Sequence, residues 1–289
     1  MQFRKITIVG VGLLGGSIGL AARKFRIAGE IAGFVRREKT ALECEKVGAM
    51  DYATTDLAAA VSNSDLVILC TPLAQMRLLS QQFLPALKRG AIVTDVGSVK
   101  ADIVRELESL IAKTGAHFVG SHPMAGGEKT GVAAAREDLF ENAVCVLTPT
   151  RKSHSAAVRK LERFWKLIGA RVLKLPPVQH DLFVSRTSHL PHVVAATLAN
   201  LVLNPGQPKG QAKLCANGFR DTTRIASGSP EMWRDIALAN RKHLAGAIAA
   251  FIAELQTFQR ALKNVNADGI AKFFESAKQR RDKWRAGIR

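Results

Sequence analysis

His122 is placed where a side chain could take a proton from a bound molecule. Residues 117–121 predict a β-strand that runs into the segment Ser121-His122-Pro123-Met124-Ala125-Gly126. The imidazole is thus expected just past the carboxyl end of a strand, where a histidine can act as a general base near neutral pH. The remaining histidines outside the segment around Pro191 have no motif around them, and we assign them no role: His117, His154, His180 and His243.

Two further histidines and an arginine lie in polar segments of the second half. His189 and His192 flank Pro191, a residue that interrupts helices and so opens the chain locally. Metal binding by this pair is disfavoured, because no carboxylate or cysteine is placed to complete a site. Arg224 carries a planar guanidinium suited to hold a carboxylate, although an exposed ion pair with Asp221 explains the same spacing.

The chain begins with a glycine pattern typical of dinucleotide binding. A predicted buried strand at residues 6–9 leads directly into Gly10-Val11-Gly12-Leu13-Leu14-Gly15, and a predicted helix follows. We expect Gly10 to permit the turn, Gly12 to let a pyrophosphate approach the backbone, and Gly15 to let helix and strand pack closely. The free N–H groups at the start of the helix would then face the phosphates. A glycine-rich turn without a ligand is the alternative.

The end of the second predicted strand bears on which dinucleotide binds. Enzymes that use NAD usually carry an acid there, which accepts a hydrogen bond from the ribose 2′-hydroxyl. Here Arg36 and Arg37 occupy this place, and two guanidiniums suit the 2′-phosphate of NADP, unless both are simply exposed to solvent. The sequence therefore favours NADP, with NAD as the second choice. The predicted cofactor contacts are Gly10, Gly12, Leu13, Leu14, Gly15, Arg36, Arg37, Thr71, Pro72 and Ser98.

Further strands recur at the spacing of βαβ units. Residues 66–70 form a nearly continuous apolar run, as in a buried parallel strand, and residues 92–95 form the next. Later strands are predicted at 143–147 and 171–175, with a helix at 155–168 between them. This alternation predicts an α/β fold, a Rossmann-type doubly wound sheet over residues 1–176.

After residue 176 the pattern changes to helices. Residues 178–203 predict a long helix that kinks at Pro191, and Ser229-Pro230-Glu231 is a helix start. From there apolar residues recur at spacings of three, four and seven as far as Leu262, which predicts one long helix with a broad apolar face, and the last helix is predicted to start near Asp268. We therefore predict an all-α domain over residues 177–289 that forms a homodimer through its helices.

Composition narrows the possible partners. The 289 residues are 47% hydrophobic and 23% charged, which suits two globular domains, and the net charge of +18 suits anionic ligands. With only one tyrosine and no nucleic-acid-binding motif, nucleic acid is not expected as a main partner. Neither a membrane span nor a metal is expected. The four cysteines lack C-x-x-C spacing, which indicates reduced thiols in a cytoplasmic protein.

Five motifs together resemble the prephenate/arogenate dehydrogenase family of tyrosine biosynthesis. They follow the family's order over nearly the whole chain, and the glycine motif is the only one shared widely. They are Gly10-x-Gly12-Leu13-x-Gly15-Gly16-Ser17, Asp95-Val96-Gly97-Ser98-Val99-Lys100, Ser121-His122-Pro123-Met124-Ala125-Gly126, Ser188-His189-Leu190-Pro191-His192, and Gly218-Phe219-Arg220-Asp221-x-Thr223-Arg224-Ile225-Ala226 followed by Met232-Trp233-Arg234-Asp235.

The resemblance implies an oxidative decarboxylation of prephenate or arogenate. His122 would accept the proton of the substrate's 4-hydroxyl, and Ser98 would hydrogen-bond that hydroxyl and orient the nicotinamide. Arg224 would hold a substrate carboxylate, with His192 at the side-chain end and His189 beside it. The remaining implied site residues form a polar network around the entrance, part of it reaching across the dimer: Glu128, Arg220 and Asp221.

Several alternatives stay open at this point. No mutase region precedes the first strand and no regulatory domain follows the last helix, so a monofunctional enzyme is expected. Prephenate and arogenate are not distinguished. A β-hydroxyacid dehydrogenase or imine reductase shares the architecture but commonly uses a lysine in the helical domain. A non-catalytic NADP-binding regulator is the remaining alternative, and replacement of His122 tests it.

Overall fold

The first half of the chain folds into a parallel sheet, as its alternating pattern predicts. The computed structural model describes residues 1–127, 129–208 and 210–287. The strand order is β3-β2-β1-β4-β5-β6, with every neighbouring pair parallel, so the direction of winding reverses between β1 and β4. Ligands of such sheets bind outside the carboxyl ends of the strands at this reversal. The strands are β1 Phe3–Val9, β2 Ala28–Phe34, β3 Tyr52–Thr54, β4 Leu66–Leu69, β5 Ile92–Asp95 and β6 His117–Phe118.

Helices cover both faces of this sheet. The central strand β4 is buried along its whole length, with Leu66 and Ile68 in one apolar cluster and Val67 and Leu69 in the other. A strand buried on both faces needs a continuous apolar run, because successive side chains point to opposite faces. The helices of this half are α1 Leu13–Lys24, α2 Glu38–Lys46, α3 Leu57–Val61, α4 Leu73–Phe83 and α5 Ala101–Ala112.

The strand predicted at residues 117–121 is wrong in one respect that matters for His122. The chain leaves the first sheet at Val119, and β7 Gly120–Pro123 belongs to a second sheet. The cause lies at Ser121, where Asp95 takes over the role of a ladder partner: Ser121 N donates to Asp95 Oδ1 at 3.2 Å and Ser121 Oγ to the Asp95 carbonyl at 2.6 Å. His122 therefore lies inside a strand rather than past the end of one.

The second sheet has the order β7-β8-β9. β8 Val144–Thr148 pairs antiparallel with β7, which sets His122 opposite Val146. β9 Arg171–Lys174 runs parallel to β8, and α6 Ser155–Leu167 connects the two. The later strands and this helix thus lie within a residue or so of their predicted bounds.

The first helices of the second half are interrupted near Pro191, as the sequence predicts. α7 Pro177–Val184 is followed by a five-residue π-helical turn, Ser185–His189, and then by α8 Leu190–Val202. Proline has no N–H and its ring collides with the carbonyl four residues earlier, so the α-helical bonding pattern cannot pass through it. Widened turns of this kind are often found at functional sites.

The long helix predicted after Ser229 is divided. α9 Asn217–Thr223 precedes α10 Pro230–Ala239, which begins at the predicted cap, where Ser229 Oγ accepts from Met232 N at 3.3 Å. Asn240 then leaves the helical conformation, with φ −110° and ψ 23°. α11 Arg241–Lys263 follows, and α12 Ala267–Gly287 begins beside the predicted Asp268.

The described chain forms two compact units. Residues 1–240 make up the first, and the second begins at Arg241 and contains α11 and α12. Within the second unit the ring of Phe258 packs 4.8 Å from that of Phe273 and 5.6 Å from that of Phe274, measured between centroids. No helix in the described ranges is both long and apolar enough to cross a lipid bilayer.

Candidate active site

The three glycines of the first motif have the geometry that their spacing predicts. Gly10 adopts φ +93°, and a Cβ there would lie 2.7 Å from Thr71 Cγ2. A Cβ on Gly15 would lie 2.5 Å from the Gly10 carbonyl oxygen, so α1 packs directly on the end of β1. A Cβ on Gly12 would meet nothing within 4 Å. The backbone at Gly12 therefore borders open space at the start of α1.

That open space is part of a cavity of about 590 Å³ at the carboxyl ends of β1, β2 and β4. Arg36 and Arg37 line it beyond the end of β2, and none of the described lining residues is acidic. Leu13 and Leu14 do not line the cavity and instead pack against the core. The lining residues are Gly10, Val11, Gly12, Phe34, Val35, Arg36, Arg37, Thr40, Cys70, Thr71, Pro72, Gln75, Leu79, Thr130 and Gly131.

His122 begins a chain of buried hydrogen bonds between the second sheet and α7. Its side chain is 7% exposed, and its Nδ1 lies 2.8 Å from Nε2 of His180. His180 Nδ1 lies 2.8 Å from Asp181 Oδ1. Among the described residues, none hydrogen-bonds to Nε2 of His122. One ring nitrogen of His122 is thus held by the protein, and the other is left for a ligand.

The carboxylate of Asp181 is held by the start of α5. Lys100 N donates to Asp181 Oδ1 and Ala101 N to Oδ2, each at 2.8 Å. These are N–H groups that a helix N-terminus leaves unpaired, and a negative charge is favoured there. Neither His180 nor Asp181 is predicted from the sequence as a site residue. The adjacent His-Asp pair was visible in the sequence, but nothing local indicates that it faces residue 122.

Asn240 joins the same group of side chains from the break between α10 and α11. It is 3% exposed, and its Nδ2 donates to the Asp181 carbonyl at 2.8 Å and approaches His189 Nδ1 at 3.2 Å. His189 is 1% exposed, and its Nε2 has no hydrogen-bond partner among the described residues. This residue too was missed, because the apolar spacing of the sequence continues across it.

Burial lowers the pKa values of His122 and His189. The pKa of His122 lies well below its ordinary value, first because burial disfavours the charged ring and then because His180, Lys100 and His189 lie nearby. The pKa of His189 is lowered to about 4, chiefly by burial, and the Ser98 backbone and the Asp181 charge oppose the shift. A neutral imidazole at position 122 can accept a proton.

A buried ion pair supports the loop that carries Ser98. Lys100 Nζ forms a salt bridge with Asp95 Oδ2, and both side chains are fully buried. Asp95 Oδ2 also accepts from Gly97 N at 2.8 Å. The loop between β5 and α5 is therefore fixed at both ends, and it keeps the Ser98 backbone beside His189 and the Lys100 charge near His122.

The far end of the site is formed by α8, α10 and the turn after α9. The ring of His192 stacks on Trp233 with centroids 3.8 Å apart, and its Nδ1 lies 3.0 Å from the Ser188 carbonyl. Burial lowers the pKa of His192, and the positive charge of Arg224 contributes, so the guanidinium is close. Trp233 joins the two histidines on either side of Pro191, since its ring centroid lies 6.1 Å from that of His189 and 3.8 Å from that of His192.

The structure describes two of the three predicted entrance residues. Arg220 and Asp221 are exposed on α9. Glu128 lies outside the described residues.

Comparison with known proteins connects this arrangement to a family. Residues 18–174 match the family model for "Prephenate dehydrogenase, nucleotide-binding domain", and residues 176–276 match that for "Prephenate dehydrogenase, dimerization domain". The chain is 36% identical to prephenate dehydrogenase of Bacillus subtilis over 96% of its length and 75% of the relative. It is 31% identical to cyclohexadienyl dehydrogenase of Zymomonas mobilis, over 96% and 95%.

Solved structures of prephenate and arogenate dehydrogenases have the same fold as this chain. Prephenate dehydrogenase from Aquifex aeolicus, in complex with hydroxyphenyl propionate and NAD+, superimposes with a TM-score of 0.91 at 32% identity, over 97% of this chain and 98% of that one. Synechocystis arogenate dehydrogenase gives a TM-score of 0.82 at 29% identity, over 97% and 99%. Both domain models match in order along the chain, and the glycine turn Gly10–Gly15 and the buried His122 are both present. The chain therefore belongs to the prephenate/arogenate dehydrogenase family of oxidoreductases.

Proposed function

We propose that this protein oxidatively decarboxylates prephenate or arogenate, with hydride transfer to a nicotinamide dinucleotide. The observation that carries the proposal is the buried His122, whose Nδ1 is held by His180 and whose Nε2 has no hydrogen bond to any described residue. A base of this kind, together with the cation Arg224, suits a small anionic ring that has a hydroxyl to lose a proton and a carboxylate to bind.

Each site residue is proposed to have a distinct role in the reaction. His122 Nε2 takes the proton of the substrate's 4-hydroxyl while hydride leaves C4 and the ring carboxylate departs as carbon dioxide. A bound nicotinamide supplies the hydride acceptor. Ser98 orients the hydroxyl, Arg224 holds a carboxylate, and His192 with His189 binds the side-chain end. General-base catalysis of this kind typically contributes about 10²–10⁴-fold in rate.

The glycine turn Gly10–Gly15 fits a nicotinamide dinucleotide. The open space at Gly12 and the unpaired N–H groups at the start of α1 suit a pyrophosphate, and the cavity continues from there to Arg36 and Arg37. Thr71 and Pro72 line the cavity at the end of β4, on the way to the loop of Ser98. We assign the cofactor to this cavity.

We further propose that NADP is preferred over NAD. Arg36 and Arg37 line the cavity, and the described part of its lining has no acidic residue that would repel a 2′-phosphate. The ratio of kcat/KM for NADP to that for NAD should exceed one and fall in Arg36→Ala and Arg37→Ala. Lys39→Ala removes an exposed charge outside the lining and should leave the ratio unchanged. A clear preference of the unaltered protein for NAD would overturn this assignment.

We also propose that residues 177–289 supply the substrate-binding and dimerisation half, and residues 1–176 the dinucleotide-binding half, of a homodimer. The match of residues 176–276 to a dimerization domain supports this division. Arg220 and Asp221, exposed on α9, are proposed to line the site entrance together with Glu128.

One assay tests the activity. Prephenate and arogenate are each offered with NAD and with NADP, and reduced cofactor is followed; 3-hydroxyisobutyrate is a further arm, because 3-hydroxyisobutyrate dehydrogenases share the fold. We expect turnover of a cyclohexadiene substrate, and a loss of about 10²–10⁴-fold in kcat for His122→Asn with cofactor binding retained. His154→Asn, at an exposed histidine, is the matched control. Turnover of 3-hydroxyisobutyrate alone, or an unchanged rate in His122→Asn, would reject the proposal.

A further inference from the structure

The buried pair His180 and Asp181 has no part in the proposed reaction as described so far. Both side chains are almost fully buried, at 0% and 2% exposure, in a domain whose surface is rich in charge. Burying an ionisable pair is costly unless every group is hydrogen-bonded, so such a pair calls for a specific role. His180 Nε2 lies 2.8 Å from His122 Nδ1, although the two residues are 58 positions apart in the chain.

The partners of Asp181 fix the direction of these hydrogen bonds. An ionised carboxylate only accepts, and Asp181 already accepts N–H groups from Lys100 and Ala101 at the start of α5. The nitrogen of His180 that faces Asp181 must therefore carry a hydrogen. In a neutral ring the other nitrogen, Nε2, is then an acceptor. His122 Nδ1 must donate to it, which leaves His122 Nε2 unprotonated.

The surroundings of His122 favour this neutral arrangement. Three groups face it from three elements: His180 on α7, Lys100 before α5, and His189 in the π-helical turn. The Lys100 ammonium, itself paired with Asp95, disfavours a further positive charge nearby. Asn240 Nδ2 holds the Asp181 carbonyl at 2.8 Å, so the segment that carries the pair cannot turn away.

We propose that His180 and Asp181 are positioning residues that keep the proton of His122 on Nδ1, so that Nε2 is the atom that receives the substrate proton. This inference rests on the proposed function and adds to it two residues that do not touch the substrate. When Nε2 accepts the hydroxyl proton, the ring becomes an imidazolium whose Nδ1–H still donates to His180. Asp181 then faces the new positive charge across the ring of His180, and no heavy atom of His122, His180 or Asp181 has to move.

The first test measures the tautomer of the unaltered protein and needs no substrate. In protein labelled with ¹⁵N at histidine, the ring nitrogens of His122 are assigned by loss of signals in His122→Asn. We expect a proton on Nδ1 and none on Nε2 at neutral pH. A protonated Nε2 in the resting protein would overturn the inference, whichever substrate the enzyme uses.

The second test separates positioning from structural support. Asp181→Asn keeps the size of the side chain but weakens its hold on the His180 proton, and His180→Gln removes the ring that receives the His122 proton. For each folded variant we expect kcat to fall by about 10²-fold, within the range of a general base, while KM changes less than threefold. His154→Gln, at an exposed histidine, should leave both constants unchanged.

The outcomes distinguish this inference from the activity proposal. Suppose that the unaltered enzyme turns over the cyclohexadiene and that both variants keep kcat within about threefold of its value. The positioning role of His180 and Asp181 is then rejected, and the activity proposal stands. If His122 carries its proton on Nδ1 but neither cyclohexadiene is consumed, the activity proposal fails and the assignment of the His122 tautomer stands. A fall in kcat together with a shift of the His122 proton to Nε2 in Asp181→Asn supports the inference fully.

Discussion

At the scale of single residues, the site depends on histidines that stay neutral. The two with strongly lowered pKa values, His122 and His189, are buried beside His180 in the surroundings of one carboxylate, Asp181. Asn240 Nδ2 can only donate, so the Nδ1 of His189 that it approaches is an acceptor and its Nε2 carries the hydrogen. His122 therefore offers an acceptor to the site and His189 a donor, although both are the same kind of side chain.

The pH dependence of activity follows from the lowered pKa of His122. Its ordinary value is 6.5, and burial, His180, Lys100 and His189 lower the folded-state pKa well below that. The base form is present above the folded pKa and is lost only as the pH falls through it. We therefore expect kcat/KM to stay level as the pH drops through the ordinary histidine range and to decline only below it. A rate profile between about pH 5 and about pH 8 checks this. An acidic limb that is centred at or above the ordinary value would contradict it.

At the scale of elements, the glycines of the first motif serve two separate purposes: Gly12 leaves room for the cofactor, and Gly15 allows α1 to pack on β1. A Cβ on Gly12 meets no atom within 4 Å, whereas a Cβ on Gly15 lies 2.5 Å from a backbone oxygen of Gly10. We expect Gly12→Ala to keep its stability but to weaken dinucleotide binding about tenfold or more, because the methyl occupies space meant for the pyrophosphate. Gly15→Ala should instead lose about 1–3 kcal/mol in its free energy of unfolding, since α1 cannot move away from β1 without loss of packing.

Cofactor titration and urea unfolding of the two glycine variants check these expectations. Gly246→Ala is the control outside the cavity, because φ is not positive there and its Cβ would also meet nothing within 4 Å, as at Gly12. Equal losses of affinity and stability in the Gly12 and Gly15 variants would show that the two roles are not separate.

The break between α10 and α11 gives a second prediction for an element. Asn240→Ala removes the donor that serves the Asp181 carbonyl and His189 Nδ1. The carbonyl keeps the N–H of Ser185, whereas the buried Nδ1 of His189 is left unpaired. Such losses typically cost about 1–3 kcal/mol, and His189 also loses its orientation, so KM for the substrate should rise. Asn200→Ala, at an exposed position of α8, is the matched control and should change neither quantity. Urea unfolding and steady-state kinetics measure both, and an Asn240→Ala variant as stable as the control would contradict the assignment.

The same elements show how far the sequence could go. The strand, glycine turn and first helix are predicted well, because their determinants lie within a few residues of one another. The change of sheet at Val119 is not, since it depends on Asp95, which lies 26 residues before Ser121 in the chain. The approach of His180 to His122 depends on how α7 packs beside β7, and no local pattern reports that. Asn240 is hidden for a different reason: apolar spacing continues from Ile236 to Leu244 on both sides of it.

At the scale of the whole molecule, the second unit presents an apolar face that its own two helices leave open. Ile252, Leu255 and Leu262 share one face of α11 at helical spacing, and they are 46%, 51% and 51% exposed. Large apolar side chains gathered on one face commonly mark an interface, and the match of residues 176–276 to a dimerization domain points the same way. A second copy of this chain is therefore the expected partner of that face.

A single charge placed on this face tests the dimer. We expect Leu255→Glu to shift the protein from the mass of a dimer to that of a monomer, because a carboxylate buried in an apolar interface without a partner costs several kcal/mol. Ala253→Glu adds the same charge at an exposed position on the opposite side of α11 and should leave the dimer intact. Light scattering coupled to size-exclusion chromatography measures both masses, and circular dichroism confirms that each variant keeps its helices. A dimer that survives in Leu255→Glu would move the interface away from this face of α11, and a monomeric unaltered protein would rule out the homodimer itself.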